Sequence, residues 1–189
     1  LFRSNVWFAG VDYGVMRTEP RSDEHFPAIS VQAMHRKGVE AGTVGGFARD
    51  PSNPDRVLYT TGKQNSGTKK LFESLDGGWN YEPICEDILF DATPILFSKQ
   101  NADIVYIGSL KSYDGGKTWE RLPKSVSAMS DTDHNIVYSK EGGYVYISED
   151  GGYNWDAYTT KSYRIDRFPL VDADDPYRIY LAVNGGVVI

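Results

Sequence analysis

The apolar residues of this chain come in short bursts, separated by clusters of Gly, Pro, Asp, Asn and Ser. Arg56-Val-Leu-Tyr59, Ile104-Val-Tyr106, Ile136-Val-Tyr138 and Tyr144-Val-Tyr-Ile147 are such bursts, rich in β-branched and aromatic side chains. No stretch shows the 3.6-residue apolar period of an amphipathic helix. The pattern predicts an all-β chain of short strands joined by tight turns.

One turn recurs. Ser-x-Asp-Gly-Gly-x-x-aromatic occurs three times, as Ser74–Tyr81, Ser112–Trp119 and Ser148–Trp155, with starts 38 and then 36 residues apart. Asp-Gly between β-rich runs is a strong hairpin signal, because the turn needs positive φ and glycine supplies it without steric cost. Asp76, Asp114 and Asp150 are expected to accept hydrogen bonds from N–H groups of their own turns. Ser74, Ser112 and Ser148 are expected to do the same more weakly. Gly78, Gly116 and Gly152 set the bend, and Tyr81, Trp119 and Trp155 start the returning strand and cap the hairpin. Every residue of the octet therefore has a structural task.

A second element precedes each octet: an Asp/Asn/Pro-rich turn and then a short run ending in an aromatic. Asp50–Tyr59, Lys99–Tyr106, Asp131–Tyr138 and Asp172–Tyr180 are copies, and Asn5-Val-Trp-Phe8 is the tail of another; the closing aromatics are 51, 47, 32 and 42 residues apart. Such periods signal a repeat architecture, and four strands per repeat, A to D, make a propeller blade. The third repeat parses as A (125–130), B (135–139), C (144–148) and D (154–159). The second parses as 94–98, 104–108, 110–112 and 118–122, and the first as 46–49, 56–61, 71–74 and 81–84. The expected division is a partial blade at 1–29, blades at about 46–84, 94–123 and 125–160, and a partial blade at about 163–189. The partial ends both contain B and C strands. That favours an incomplete or open segment of a larger propeller, completed by further blades of the same parent chain or by another subunit.

Composition narrows the function classes. Twenty-six acidic against 20 basic residues give a net charge of −6 over 189 residues, which argues against a general nucleic-acid or membrane-surface role. No apolar run is long enough for a transmembrane helix. The single cysteine, Cys85, rules out an internal disulfide framework. No signal peptide is visible. His25, His35 and His134 lack metal-ligand spacing, and Asp172-Ala-Asp174-Asp175 lacks the Gly and closing Glu of a calcium loop. Neither a metal nor a cofactor is expected.

The octets, Ser112-Tyr-Asp-Gly-Gly-Lys-Thr-Trp119 above all, resemble the Asp-box (BNR) repeat. Asp50-Pro-Ser-Asn-Pro-Asp-Arg-Val-Leu-Tyr59 resembles the element that precedes it in xyloglucanase-like and sortilin-like propellers. The resemblance covers most of the chain. It implies a β-propeller of four-stranded antiparallel blades with Asp-box hairpins, and an extracellular, cell-surface or virion setting. It carries no single activity, since the sialidase superfamily includes glycosidases, sorting receptors, photosystem assembly factors and non-catalytic surface proteins.

Strand parity points to a ligand face. In a blade, A–B and C–D turns share one end and B–C and D–A connections the other. The octets are C–D turns, so long variable loops gather at the opposite end. Candidates there are His35, Arg36 and Lys37 in a D–A insertion (30–45), Lys63, Lys69 and Lys70 in a B–C insertion (62–70), and Glu86, Asp87 and Asp91 in a D–A insertion (86–93). Val11-Asp12-Tyr13-Gly14-Val15-Met16-Arg17 resembles the Thr-Asp-Ile-Gly-Gly-x-Tyr-Arg stretch that carries one catalytic carboxylate in xyloglucanase-like glycosidases. The resemblance implies a catalytic role for Asp12, beside Tyr13, but Val11 and Val15 depart from the motif. A partner carboxylate, which glycoside hydrolysis needs, is not identifiable. Tyr163-Arg164-Ile165-Asp166 is similar to the sialidase Arg motif, with Asp166 in place of Pro; spacing assembles neither an Arg triad nor a Tyr–Glu pair. The expected function is a non-catalytic recognition or scaffold module for a polysaccharide or protein. The alternative is a fragment of a glycoside hydrolase.

Overall fold

The fold is that of a computed structural model, which describes residues 8–11, 14–17, 32–33, 44–61, 70–85, 94–159, 165, 167–183 and 186–189. Among these residues there are seventeen strands and no helix, arranged as five antiparallel sheets. The chain divides into two compact units, one of Leu1–Arg49 with Asn53–Ala92, the other of Asp50–Ser52 with Thr93–Ile189.

The first unit holds two sheets. One is β1 (Phe8–Val11), β2 (Gly14–Arg17) and β3 (Gln32–Ala33). Its β3 pairs Ala33 with Met16 and Gln32 with Arg17, so a D strand lies inside the stretch expected to be wholly insertion. A two-residue pairing on a free strand edge leaves almost no pattern in a sequence. The other sheet is β4 (Val44–Arg49), β5 (Val57–Thr61), β6 (Leu71–Ser74) and β7 (Glu82–Cys85), in meander order.

The second unit holds three sheets. The first is β8 (Ile95–Phe97), β9 (Val105–Ser112) and β10 (Glu120–Val126). The separate B and C strands expected here form one eight-residue run. Gly108, at φ 59°, divides it: Val105–Ile107 pairs with β8, while Leu110 and Lys111 pair with β10. β10 runs on to Val126, with a register shift between Arg121 and Val126. Pro123 lies in that shift, where it has no N–H to give a ladder. The next sheet is β11 (Ala128–Met129), β12 (Val137–Glu141), β13 (Tyr144–Ser148) and β14 (Asp156–Thr159). The last is β15 (Leu170–Val171), β16 (Ile179–Val183) and β17 (Gly186–Val188).

The apolar bursts at 57–59, 104–106 and 136–138 become strands buried on both faces, while that at 144–147 is buried on one. Val57, Leu58, Val105, Ile107 and Val137 are fully buried. Each such side chain is worth about 1.5–3 kcal/mol relative to exposure. Tyr106, Leu122, Val126 and Val137 pack together between the sheet of β8–β10 and that of β11–β14. Tyr138, Val145, Ile165, Leu181 and Val183 do so between β11–β14 and β15–β17.

Register corrects one reading of the repeats. Val57 stands opposite Ser74 and Val137 opposite Ser148, so Leu58, not Tyr59, occupies the position of Tyr138. The aromatic of the first copy is one residue late, and a one-residue slip sends a side chain to the other face of the sheet. Tyr59 accordingly stacks on Phe72 (centroids 4.7 Å, 4° between planes) and meets Tyr81 edge-on at 4.9 Å. In the second unit the in-register tyrosines reach the next repeat instead. Tyr106 Oη donates to the Gly151 carbonyl (3.1 Å), with the His134 carbonyl at 3.4 Å, and Tyr138 Oη donates to the Pro176 carbonyl (2.6 Å). His134 and Pro176 each lie four residues before the next tyrosine of the series.

Candidate functional site

Each of the three octets builds the same hydrogen-bond pattern. Ser74 Oγ donates to Asp76 Oδ1 (2.8 Å) and accepts the Gly78 N–H (2.8 Å). Ser112 does so with Asp114 (2.8 Å) and Gly116 (2.7 Å), and Ser148 with Asp150 and Gly152 (2.8 Å each). The serines are buried to 1% exposure. They are the hubs of the turn, a stronger role than the sequence suggests. Each aspartate then accepts two backbone N–H groups, from Trp79 and Asn80, from Lys117 and Thr118, and from Tyr153 and Asn154. Trp119 and Trp155 return their indole N–H groups to the carbonyls of Gly116 (2.9 Å) and Gly152 (2.8 Å).

Both glycines of every octet have positive φ, between 74° and 105°. At Gly152 a Cβ would also stand 2.8 Å from Leu122 Cδ1, so the neighbouring sheet fixes this residue as well. The first glycine of each pair donates to the turn before strand B: Gly77 to the Asp55 carbonyl (2.7 Å), Gly115 to Asp103 (2.8 Å) and Gly151 to Asn135 (2.8 Å). The two repeated elements of the sequence are thus bonded to each other, at the same end of each sheet.

These carboxylates are held ionised. Burial pushes Asp150 up, but the N–H and side-chain amide of Asn154, the Ser148 hydroxyl and the Tyr153 N–H outweigh it and bring it down to about 2. Asp114 is also lowered, chiefly by the Thr118 hydroxyl and N–H. Asp76 is lowered by Asn80, Ser74 and Trp79 against the effect of burial. A carboxylate saturated by donors from its own turn is a poor proton donor at neutral pH. The octet end is built for structure.

Beside the octets lies a cluster that spacing does not reveal. Lys111 is 2% exposed, and its ammonium donates to the Gly151 carbonyl (3.0 Å). It also lies over the rings of Tyr113 (4.6 Å), Tyr153 (5.0 Å) and Tyr106 (5.4 Å). The Tyr113 and Tyr153 hydroxyls are 2.9 Å apart, and Tyr153 also donates to Glu120. Tyr153 and Glu120 form a Tyr–Glu pair across two sheets. The hydrogen bond to Glu120 raises the Tyr153 pKa, so its phenol stays neutral instead of becoming a nucleophile.

At the opposite end of the sheet β11–β14 a different group is assembled. Lys124 lies near the end of β10, and Glu141 ends β12. The Lys124 ammonium bonds Glu141 Oε2 (2.7 Å) and lies 3.9 Å over the Tyr146 ring. Tyr144 and Tyr146 stand two apart on β13, so they share a face, with centroids 6.2 Å apart at 40°. Tyr144 is 49% exposed. Between them and Glu141 the turn residues Gly142 and Gly143 are open: a Cβ at either would meet nothing within 4 Å. An exposed ring, a cation and a carboxylate converge on an uncrowded turn.

Of the candidates read from the sequence, Asp12, Tyr13, His35, Arg36, Lys63, Lys69, Asp87 and Arg164 lie outside the described residues, as do His25, Lys37, Glu86 and Asp91. Asp12 and Tyr13 are the two residues between the paired Val11 and Gly14. Lys70 is described: its N–H donates to Thr61 Oγ1 (3.0 Å) and its carbonyl accepts the Thr61 N–H (3.1 Å). Asp172 is engaged in its own turn, accepting the N–H groups of Asp174 (3.0 Å) and Asp175 (3.2 Å) and the Tyr180 hydroxyl (2.8 Å). Among the described residues no group of His, Cys, Asp and Glu is placed to hold a metal, and no helix is long and apolar enough to cross a membrane.

No protein-family model matches the sequence. No curated protein matches it. Solved structures do. An ancestral GH74 enzyme superposes with a TM-score of 0.67 at 19% identity, over 94% of this chain and 28% of its own. The GH74 xyloglucanase of Xanthomonas campestris gives 0.57 at 18%, over 95% and 30%. YCF48 bound to D1 peptide gives 0.60 at 15%, over 96% and 60%. The chain spans less than a third of either GH74 enzyme. These neighbours are β-propellers, and the fold of this chain is a β-propeller fold of antiparallel sheets. At such identities the likeness carries the fold alone.

Proposed function

We propose that the chain is a recognition segment of a larger β-propeller protein, and that it meets a glycan or protein ligand at the end of its sheets opposite the octets. One contrast carries the reading. The carboxylates of the octets are consumed by their own turns, whereas Tyr144 presents a half-exposed ring beside the Lys124–Glu141 ion pair and an open Gly-Gly turn. Tyrosine offers an apolar face and a polar tip, which suits both a sugar ring and a peptide. Like folds serve both kinds of ligand: a neighbour is a xyloglucanase and another was solved with a peptide. In this reading blades at about 46–84, 94–123 and 125–160 are flanked by partial blades that other segments complete, and the protein works outside the cell, at its surface or on a virion.

The test is binding of the full chain to an array of plant and microbial polysaccharides and to a peptide panel. Binding that Lys124→Ala or Tyr144→Ala removes supports the reading. Binding indifferent to both, or hydrolysis of a bound polysaccharide by the chain, overturns it.

A second reading makes the chain part of a glycoside hydrolase. Its support is the resemblance of the stretch Val11–Arg17 to the one that carries a catalytic carboxylate in xyloglucanase-like glycosidases. Unchanged xyloglucan hydrolysis by the parent protein carrying Asp12→Asn ends this assignment.

A further inference from the structure

Tyr113 and Tyr153 belong to successive octets and sit in hairpin turns of different sheets of the second unit. Their hydroxyl oxygens are 2.9 Å apart. Both residues are open to solvent, at 52% and 43% exposure. Two neighbours hold the arrangement. Glu120, on β10, accepts the Tyr153 hydroxyl. Lys111, buried beneath, faces both rings and is itself fixed to the Gly151 carbonyl (3.0 Å). The rings are therefore tied at their tips and backed by a buried cation.

We propose that Tyr113 and Tyr153 form an oxidative crosslinking site, where a peroxide-driven one-electron oxidant such as a haem peroxidase joins them as dityrosine. Each phenol loses one electron and one proton, and Glu120 is placed to take the proton of Tyr153. The two radicals couple through ring carbons ortho to the hydroxyls. Loss of the ortho hydrogens restores both aromatic rings and both hydroxyls. Overall the two tyrosines and one hydrogen peroxide give one dityrosine and two waters. The new bond links the hairpin after β9 to the hairpin after β13 and so locks two neighbouring sheets together. Among the described residues Tyr144 and Tyr146 also lie near each other, but their rings are 6.2 Å apart on one strand and coupling there would join no second element.

The test treats the folded protein with hydrogen peroxide and a haem peroxidase, then follows dityrosine fluorescence and maps crosslinked tryptic peptides. The expected product is monomeric, with Ser112–Lys117 joined through Tyr113 to Tyr153 of Glu141–Lys161. Tyr113→Phe and Tyr153→Phe each abolish this product, while Tyr144→Phe leaves it. Coupling between molecules only, coupling of Tyr144 to Tyr146 in its place, or survival of the same peptide pair in Tyr113→Phe overturns the proposal. So does oxidant consumption with no dityrosine formed.

Discussion

Ser112→Ala tests the octet most sharply. The wild-type hydroxyl is 1% exposed, donates to Asp114 (2.8 Å) and accepts the Gly116 N–H (2.7 Å). Alanine fits the space and keeps the backbone, so the loss is one of hydrogen bonds. The Gly116 N–H is left buried without this acceptor, which costs about 1–3 kcal/mol. Asp114 loses one of its donors, but it reaches solvent and water replaces most of that bond, adding less than about 1 kcal/mol. The expected destabilisation is about 1–4 kcal/mol. Urea unfolding followed by tryptophan fluorescence reads it, since Trp119 is bonded to the same turn (2.9 Å to the Gly116 carbonyl). Lys117→Ala is the control in the same octet: its side chain is exposed, and its cost should stay within about 0.5 kcal/mol. A Ser112→Ala midpoint indistinguishable from that of Lys117→Ala would refute the claim that the buried serine holds the turn.

Three further outcomes follow from contacts elsewhere in the second unit. Asp150 is held at about 2, below the ordinary 3.8, so its stabilisation is complete above pH 3.8 and is lost as pH falls through about 2; acid unfolding of Asp150→Asn should lack this loss, and identical acid curves would contradict it. Tyr138→Phe removes the bond to the Pro176 carbonyl (2.6 Å) and should cost about 1 kcal/mol in urea titration. Burial raises the Tyr138 phenol from 10 to about 12, so its stabilisation is full below pH 10 and lost as pH rises through about 12; Tyr138→Phe should not show that alkaline loss, and an unchanged alkaline curve would count against the assignment.

How far the sequence could be read depended on how local each feature is. The octets were legible because Asp-Gly-Gly demands a particular backbone, and the structure shows positive φ at all six of these glycines. That octets and A–B turns share an end followed from counting strands, and the Gly77, Gly115 and Gly151 bonds make the sharing explicit. Tyr59 was misaligned because aromatic spacing does not fix register; only the pairing of Val57 with Ser74 does. The length of β10 was misjudged because the bulge around Pro123 lets a strand continue past its expected end. Lys111, Tyr113, Glu120 and Tyr153 could not be gathered from sequence, since Lys111 meets Tyr153 through contacts between two sheets. Lys124 and Glu141 lie outside the long insertions: Lys124 is within β10 and Glu141 ends β12 before a short Gly-Gly turn, and only the packing of the two sheets brings them together. A signal was available, in that both lie at the end of the sheets that parity assigns to loops.

The central claim is that ligand recognition belongs to the end of the sheets opposite the octets. Titration of the full chain with the ligand found on the array, comparing Tyr144→Ala with Tyr113→Ala, tests it most directly. Both residues are about half exposed, at 49% and 52%, and they lie at opposite ends of their sheets. The account predicts that Tyr144→Ala weakens binding at least about tenfold, as the loss of a stacking aromatic worth about 1.4 kcal/mol or more would, and that Tyr113→Ala leaves it unchanged. Loss of binding in Tyr113→Ala with full binding in Tyr144→Ala would place recognition on the octet end and contradict the account.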